Sequence, residues 1–176
     1  MIENHIWPGQ PANFLPKCNG ITVNANTPVI CSTGCFMISP TCVFIPFVEG
    51  HINYYCSGEK QIDAISYPFT GCIMAHYKIE GLHYYAHIST PHCTEYWNAY
   101  KRQYGIFATE FRPHEAFLTM GIDRIYGIIN AEDEKYSVAI EINRNEADIC
   151  RWRNFQWCNY CYPRKATVIS KVKWLL

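Results

Sequence analysis

The stretch Ser66-Tyr-Pro-Phe-Thr-Gly-Cys72-Ile-Met-Ala-His-Tyr-Lys-Ile79-Glu-Gly-Leu-His-Tyr-Tyr-Ala-His87-Ile-Ser-Thr90 decides how this chain is read. Ile73, Ala75, Tyr77 and Ile79 alternate with Met74, His76 and Lys78. After Glu80-Gly81, Leu82, Tyr84, Ala86 and Ile88 alternate with His83, Tyr85, His87 and Ser89. Period two on both sides of a glycine predicts a β-hairpin. A two-residue loop pairs Ile79 with Leu82 and leaves His87 diagonal to Cys72. A four-residue loop pairs Tyr77 with Leu82 and sets Cys72 directly opposite His87. Either register puts the apolar set on one face and Cys72, Met74, His76, His83, Tyr85 and His87 on the other; an odd loop would split the apolar sets. Direct or diagonal cross-strand Cα atoms lie about 4.5–8 Å apart. The expectation is a Cys72–His87 pair on a polar face turned outward, its apolar partners turned inward.

Such a pair can do chemistry. The thiolate is the nucleophile, and a free cysteine with a pKa near ~8.5 is mostly protonated at neutral pH. An adjacent imidazole can take that proton and later give it to a leaving amine. Gly71 lets a substrate approach the backbone and turns its amides, with that of Cys72, toward a developing oxyanion. Ser66, six residues before Cys72, is the candidate third group that orients the imidazole.

Phe69-Thr70-Gly71-Cys72, with His87 fifteen residues after the cysteine, resembles the catalytic core of the cysteine–histidine glutamine deamidases. These include the cytotoxic necrotizing factor catalytic domains, the Burkholderia lethal factor toxin and the CheD-type chemoreceptor deamidases. Their motif is Leu-Ser-Gly-Cys, followed by a strand-borne histidine; here Phe69 replaces the leucine and Thr70 the serine. Some members carry a threonine six residues before the cysteine, the position of Ser66. The resemblance covers about 25 of 176 residues. It implies a β-sandwich flanked by helices and conversion of a target-protein glutamine to glutamate through a thioester, with Cys72, His87 and Ser66 catalytic. It implies no metal and no organic cofactor.

The rest of the chain sets bounds. Its 176 residues suit one domain, 1–176, with 1–30 a mostly irregular arm holding Pro8, Pro11, Pro16 and Pro28. Apolar residues make up 49%, enough for a folded core, and 15 basic residues balance 15 acidic ones. That balance argues against nucleic acid and against a membrane surface as partners, leaving a target protein as the expected substrate. The N-terminus lacks the pattern of a secretory signal. With ten cysteines, this points to a thiol-reducing cytoplasm, or to export into a host or target cell without a classical signal. Oligomeric state is left open.

Two further apolar runs, Cys42–Val48 and His51–Tyr55, flank Glu49-Gly50 and read as a second hairpin, with Pro46 at an edge. His92–Tyr104 reads as a helix ended by Gly105, with Tyr96, Trp97 and Tyr100 as core. Strand candidates are 106–111, 124–129, 136–142 and 166–172, and 145–157 is given a short helix. The expected class is α+β, a mostly antiparallel sheet or β-sandwich core with one or two helices.

Other constellations compete. Thr33-Gly34-Cys35 repeats the triplet, and His51 follows sixteen residues on, which makes Cys35 the runner-up nucleophile. Cys158-Asn-Tyr-Cys161 with Cys150 has half of a zinc spacing, and no second pair completes it. His76 and His83 share the His87 face, but that hairpin face carries no carboxylate to make a metal site. Trp152, Trp157, Tyr160 and Tyr162, mixed with Arg151, Arg153, Arg164 and Lys165, read as a segment closing the sheet. The alternatives to a deamidase are another thiol hydrolase using the same pair and a non-enzymatic, cysteine-rich interaction protein.

Overall fold

A computed structural model describes residues 1–11, 13, 15–117, 124–140 and 144–160. In chain order the strands are β1 (Gln10–Pro11), β2 (Ile30–Cys31), β3 (Phe36–Ser39), β4 (Cys42–Pro46), β5 (Ile52–Gly58), β6 (Asp63–Tyr67), β7 (Ile73–Ile79) and β8 (Leu82–Ile88). Helix α1 (Thr94–Tyr104) follows, then β9 (Thr109–Phe111), β10 (Arg124–Ile129), β11 (Lys135–Ile140), β12 (Glu146–Arg153) and β13 (Gln156–Asn159). The fold is α+β and dominated by strands.

The quoted stretch forms the β7–β8 hairpin. Ile79 pairs with Leu82 across a two-residue loop in which Glu80 and Gly81 take φ of 51° and 81°. Two consecutive positive φ values give the turn whose twist matches the flanking strands. The hairpin sits inside a five-stranded sheet ordered β2-β5-β8-β7-β9. An eight-stranded sheet runs β1-β12-β11-β10-β6-β4-β3, with β13 paired to β12. Pairing is antiparallel except for β2–β5 and β4–β6.

The two sheets share a core of Val43, Ile45, Ala64, Phe69, Met74, Tyr85 and Ile129. Outside the smaller sheet, Trp97 of α1 packs on Ile73, Ala75, Tyr77, Ala86 and Ile88. Gly105 closes the helix in the left-handed conformation that glycine adopts without strain. Outside the larger sheet lies the N-terminal segment, which buries Ile2, Ile6 and Leu15 against Phe44, Ile65 and Ile128. Each such side chain contributes about 1.5–3 kcal/mol. Polar ties fix the segment in place: the Ile2 N–H donates to Asp63 Oδ2 at 2.6 Å and the Tyr126 hydroxyl to Pro16 O at 2.8 Å.

Several expectations are corrected here. Both faces of the β7–β8 hairpin are covered, so the face bearing Cys72 and His87 points at the larger sheet and not at solvent. Its histidines and tyrosine read as polar in the sequence but pack against Phe69, Met74 and the strands opposite. β4 and β5 do not form a hairpin: all five β4 residues are buried in the larger sheet between β3 and β6, while β5 joins the smaller sheet beside β8. Pro46 ends β4 beyond the β3 pairing, which stops at Phe44, so its missing N–H leaves no gap in that ladder. The segment given a short helix is the β12–β13 hairpin, turned by Asn154 and Phe155 with φ of 52° and 61°. Tyr96 is 41% exposed and lies outside the core. The strand expected over 166–172 lies outside the described residues, as do Cys161, Tyr162, Arg164 and Lys165.

Candidate active site

Three strand ends meet where the two sheets face each other. In the β7–β8 register Met74 pairs with His87, and the next step places Cys72 opposite Ser89 and diagonal to His87. Ser66 stands on β6 of the opposite sheet, on the face away from Ile65 and Tyr67, so it points at β8. Its hydroxyl oxygen lies 2.7 Å from His87 Nδ1 and also hydrogen-bonds Ile45 O. Ser66 and His87 are therefore in contact across the gap between the sheets, whereas Cys72 is only a diagonal neighbour by register: its thiol is not hydrogen-bonded to His87 Nε2.

That geometry fixes the imidazole tautomer. The Ile45 carbonyl can only accept, so Ser66 must spend its single proton there. The hydroxyl oxygen is then the acceptor and His87 Nδ1 the donor. Nε2 is left with a free lone pair, and it is buried without a hydrogen-bond partner. Stacked on Phe69 at a centroid distance of 4.1 Å and tilted against Phe47 at 5.1 Å, the ring is 1% exposed. Burial pulls its pKa down to about 3, so the resting ring is neutral. Nε2 is the open acceptor of a neutral imidazole, but the burial that keeps the ring neutral also makes it a weak base until that burial is relieved.

Cys72 is 6% exposed. Burial pushes its thiol up, while a backbone hydrogen bond from Thr90 and the Arg112 charge pull the other way. Arg112, just after β9, donates to Gly71 O and at 3.1 Å to Thr90 Oγ1; Thr90 Oγ1 in turn donates to Gly71 O at 2.7 Å. Two donors thus hold the Gly71 carbonyl. In a trans peptide the following N–H points the opposite way, so this grip also aims the Cys72 amide. A Cβ added at Gly71 would meet nothing within 4 Å, so the space over this peptide is open. Arg112 was not visible in the sequence: it lies 41 positions from Gly71 and in no motif.

The competing pair is not brought together. The Cys35 thiol donates to Tyr54 O at 3.6 Å and its pKa is pushed up to about 12, mainly by burial. His51 spends its ring nitrogens on Glu49 O at 2.7 Å and Thr27 O at 3.4 Å. The carboxylate missing from the histidine face arrives from outside the hairpin. Asp133, in the β10–β11 turn, lies 2.5 Å from His76 Nδ1, and His76 Nε2 lies 2.8 Å from His83 Nδ1. Among the described residues no group of three or more His, Cys, Asp or Glu side chains is placed to hold a metal. The nine cysteines at described positions are free thiols, and Cys150 bonds Asn159 at 3.7 Å.

The fold and site thus define a two-sheet sandwich with an imidazole and a hydroxyl in contact at one end of the interface and a buried thiol at the approach to the neighbouring strand, not hydrogen-bonded to either. The chain matches no protein-family model, no curated protein and no solved structure. Among the described residues no helix is long and apolar enough to cross a membrane.

Proposed function

We propose that this protein is a cysteine-dependent glutamine deamidase acting on another protein. The observation that carries the reading is the chain from Ile45 O through Ser66 Oγ to His87 Nδ1, which leaves Nε2 unprotonated on the residue paired with Met74, two positions from Cys72.

On this reading His87 Nε2 takes the Cys72 proton, and the thiolate attacks the carbon of a glutamine carboxamide. The carbonyl oxygen becomes an oxyanion that accepts from the Cys72 amide, aimed by the grip of Arg112 and Thr90 on Gly71 O. As the tetrahedral intermediate collapses, the C–N bond breaks and His87 gives its proton to the departing ammonia. A glutamyl thioester remains. Water then gives a proton to His87 and attacks the thioester, releasing glutamate and regenerating the thiol. Ser66 holds the ring in the required tautomer throughout.

The test treats a cell lysate with the protein and with Cys72→Ser, and maps glutamine-to-glutamate conversions by mass spectrometry. The expected result is a small set of converted sites, with ammonia release and no backbone cleavage, absent from the variant. Backbone cleavage in place of conversion would move the protein to the peptidases. The burial of His87 and the raised Cys72 thiol favour a second reading, a non-enzymatic packed pair; conversions no more frequent than in the Cys72→Ser control would establish it.

A further inference from the structure

Phe47 stands between His87 and a cavity of about 350 Å³. The cavity is walled by Phe47 together with Asn19, Ile21, Thr22, Glu49 and His51. Phe47 follows the last residue of β4, at the same end of the sandwich as the β8 terminus and the Gly71–Cys72 peptide. On the cavity side the ring meets Gly20, where an added Cβ would lie 3.1 Å from Phe47 Cδ1. The N-terminal segment presses on the ring there, held by the Ile21 N–H donating to Phe47 O at 2.8 Å. The His87 ring lies 5.1 Å from that of Phe47, and its Nε2 is buried and unpartnered. A buried polar atom left without a partner costs roughly 1–3 kcal/mol, which a group delivered from the cavity would recover.

We propose that this cavity receives the segment of the target protein that carries the reactive glutamine, and that Phe47 is the gate through which the carboxamide reaches His87 and Cys72. The assignment rests on the deamidase reading and adds to it the route of entry. The wall chemistry suits that occupant. Asn19 and Thr22 offer neutral donors and acceptors for peptide groups, Ile21 and Phe47 offer apolar contact for the glutamine methylenes, and a single carboxylate with a single imidazole gives no strong field for a charged ligand. The volume is near the lower end of the range for ligand pockets, about 300–1,000 Å³. That holds a glutamine and the backbone on either side of it. The gating motion required is a turn of the Phe47 side chain about its own torsions, since the ring both lines the cavity and contacts the imidazole.

The experiment follows the ring signals of His51 and His87 by NMR in Cys72→Ser protein, using carbobenzoxy-glutaminylglycine as probe. Two results are expected. The probe shifts both histidines saturably, and Phe47→Trp, a bulkier gate, suppresses the His87 shift while sparing that of His51. In Phe47→Ala, water reaches the ring and the His87 protonation midpoint rises by about one unit or more, since burial is what depresses it; Phe47→Leu gives a smaller rise and serves if the alanine variant does not fold. An unchanged midpoint in a folded Phe47 variant, or a probe that moves His87 without moving His51, would overturn the gate. Glutamine conversion in lysate with both histidines unresponsive would sink the cavity and leave the enzyme. A responsive His87 without any conversion would sink the glutamine-bearing occupant together with the enzyme.

Discussion

Because the Ile45 carbonyl has no proton to give, Ser66 has no choice of role, and neither does His87 Nδ1. Replacing Ser66 by alanine strands both partners of its hydroxyl in a dry interface. The expected cost is about 1–3 kcal/mol in stability and roughly 10²-fold in kcat, because the ring is then free to take the wrong tautomer. Ser66→Thr keeps the oxygen and restores most of kcat. A Ser66→Ala enzyme with unchanged kcat would separate the hydroxyl from the chemistry. Arg112 is tested by the pH dependence of Cys72 alkylation with iodoacetamide. Removing its charge in Arg112→Met raises the thiol midpoint, and Arg112→Lys recovers part of that shift. A merely structural arginine would lower the melting temperature and leave the midpoint in place.

At the scale of the element, the site depends on how closely β10 passes under the hairpin. Gly127 pairs with Ser66, and a Cβ there would lie 2.6 Å from Pro113 Cγ and 2.9 Å from both Met74 Sδ and Phe69 Cε2. Gly127→Ala therefore overpacks the interface beneath the Phe69–His87 stack, at an expected cost of about 1–3 kcal/mol read by urea denaturation. A neutral change would mean that this close approach is slack. The β7–β8 hairpin was legible in the sequence because its period-two pattern and its Glu80-Gly81 turn are local signals. The separation of β4 from β5 was not. Glu49-Gly50 looks like a hairpin turn, and only the pairing of β4 with β6, set by residues far along the chain, shows that the polypeptide crosses between sheets there. The Cys72–His87 face was legible as a face and misread in its surroundings, since histidine and tyrosine read as solvated until a second sheet is known to cover them. Ser66 was located only through the motif spacing, and Arg112 through nothing local.

For the whole molecule, the depressed His87 pKa is a statement about stability. Unfolded, the ring takes a proton below its ordinary value of 6.5; folded, it resists until about 3. The unfolded state therefore binds more protons across that window, and stability is complete above pH 6.5 and falls as pH drops toward 3. The slope from this one group is at most about 1.4 kcal/mol per pH unit. Denaturation midpoints measured between pH 7 and 4 should show this loss, and His87→Gln should flatten it. An equal slope in the variant would place the acid sensitivity elsewhere. The same sandwich that keeps His87 neutral also keeps it closed, so the proposed deamidase activity would require the Phe47 end of the interface to open.

The most direct test is covalent capture with a chloroketone analogue of glutamine, followed by peptide mapping across all ten cysteines. A thiol primed to attack a glutamine carbonyl should be the one that is trapped. The expected result is a single adduct on Cys72, slowed at least tenfold by His87→Gln. An adduct on Cys35 or another thiol, or labelling of Cys72 indifferent to the loss of His87, would contradict the account.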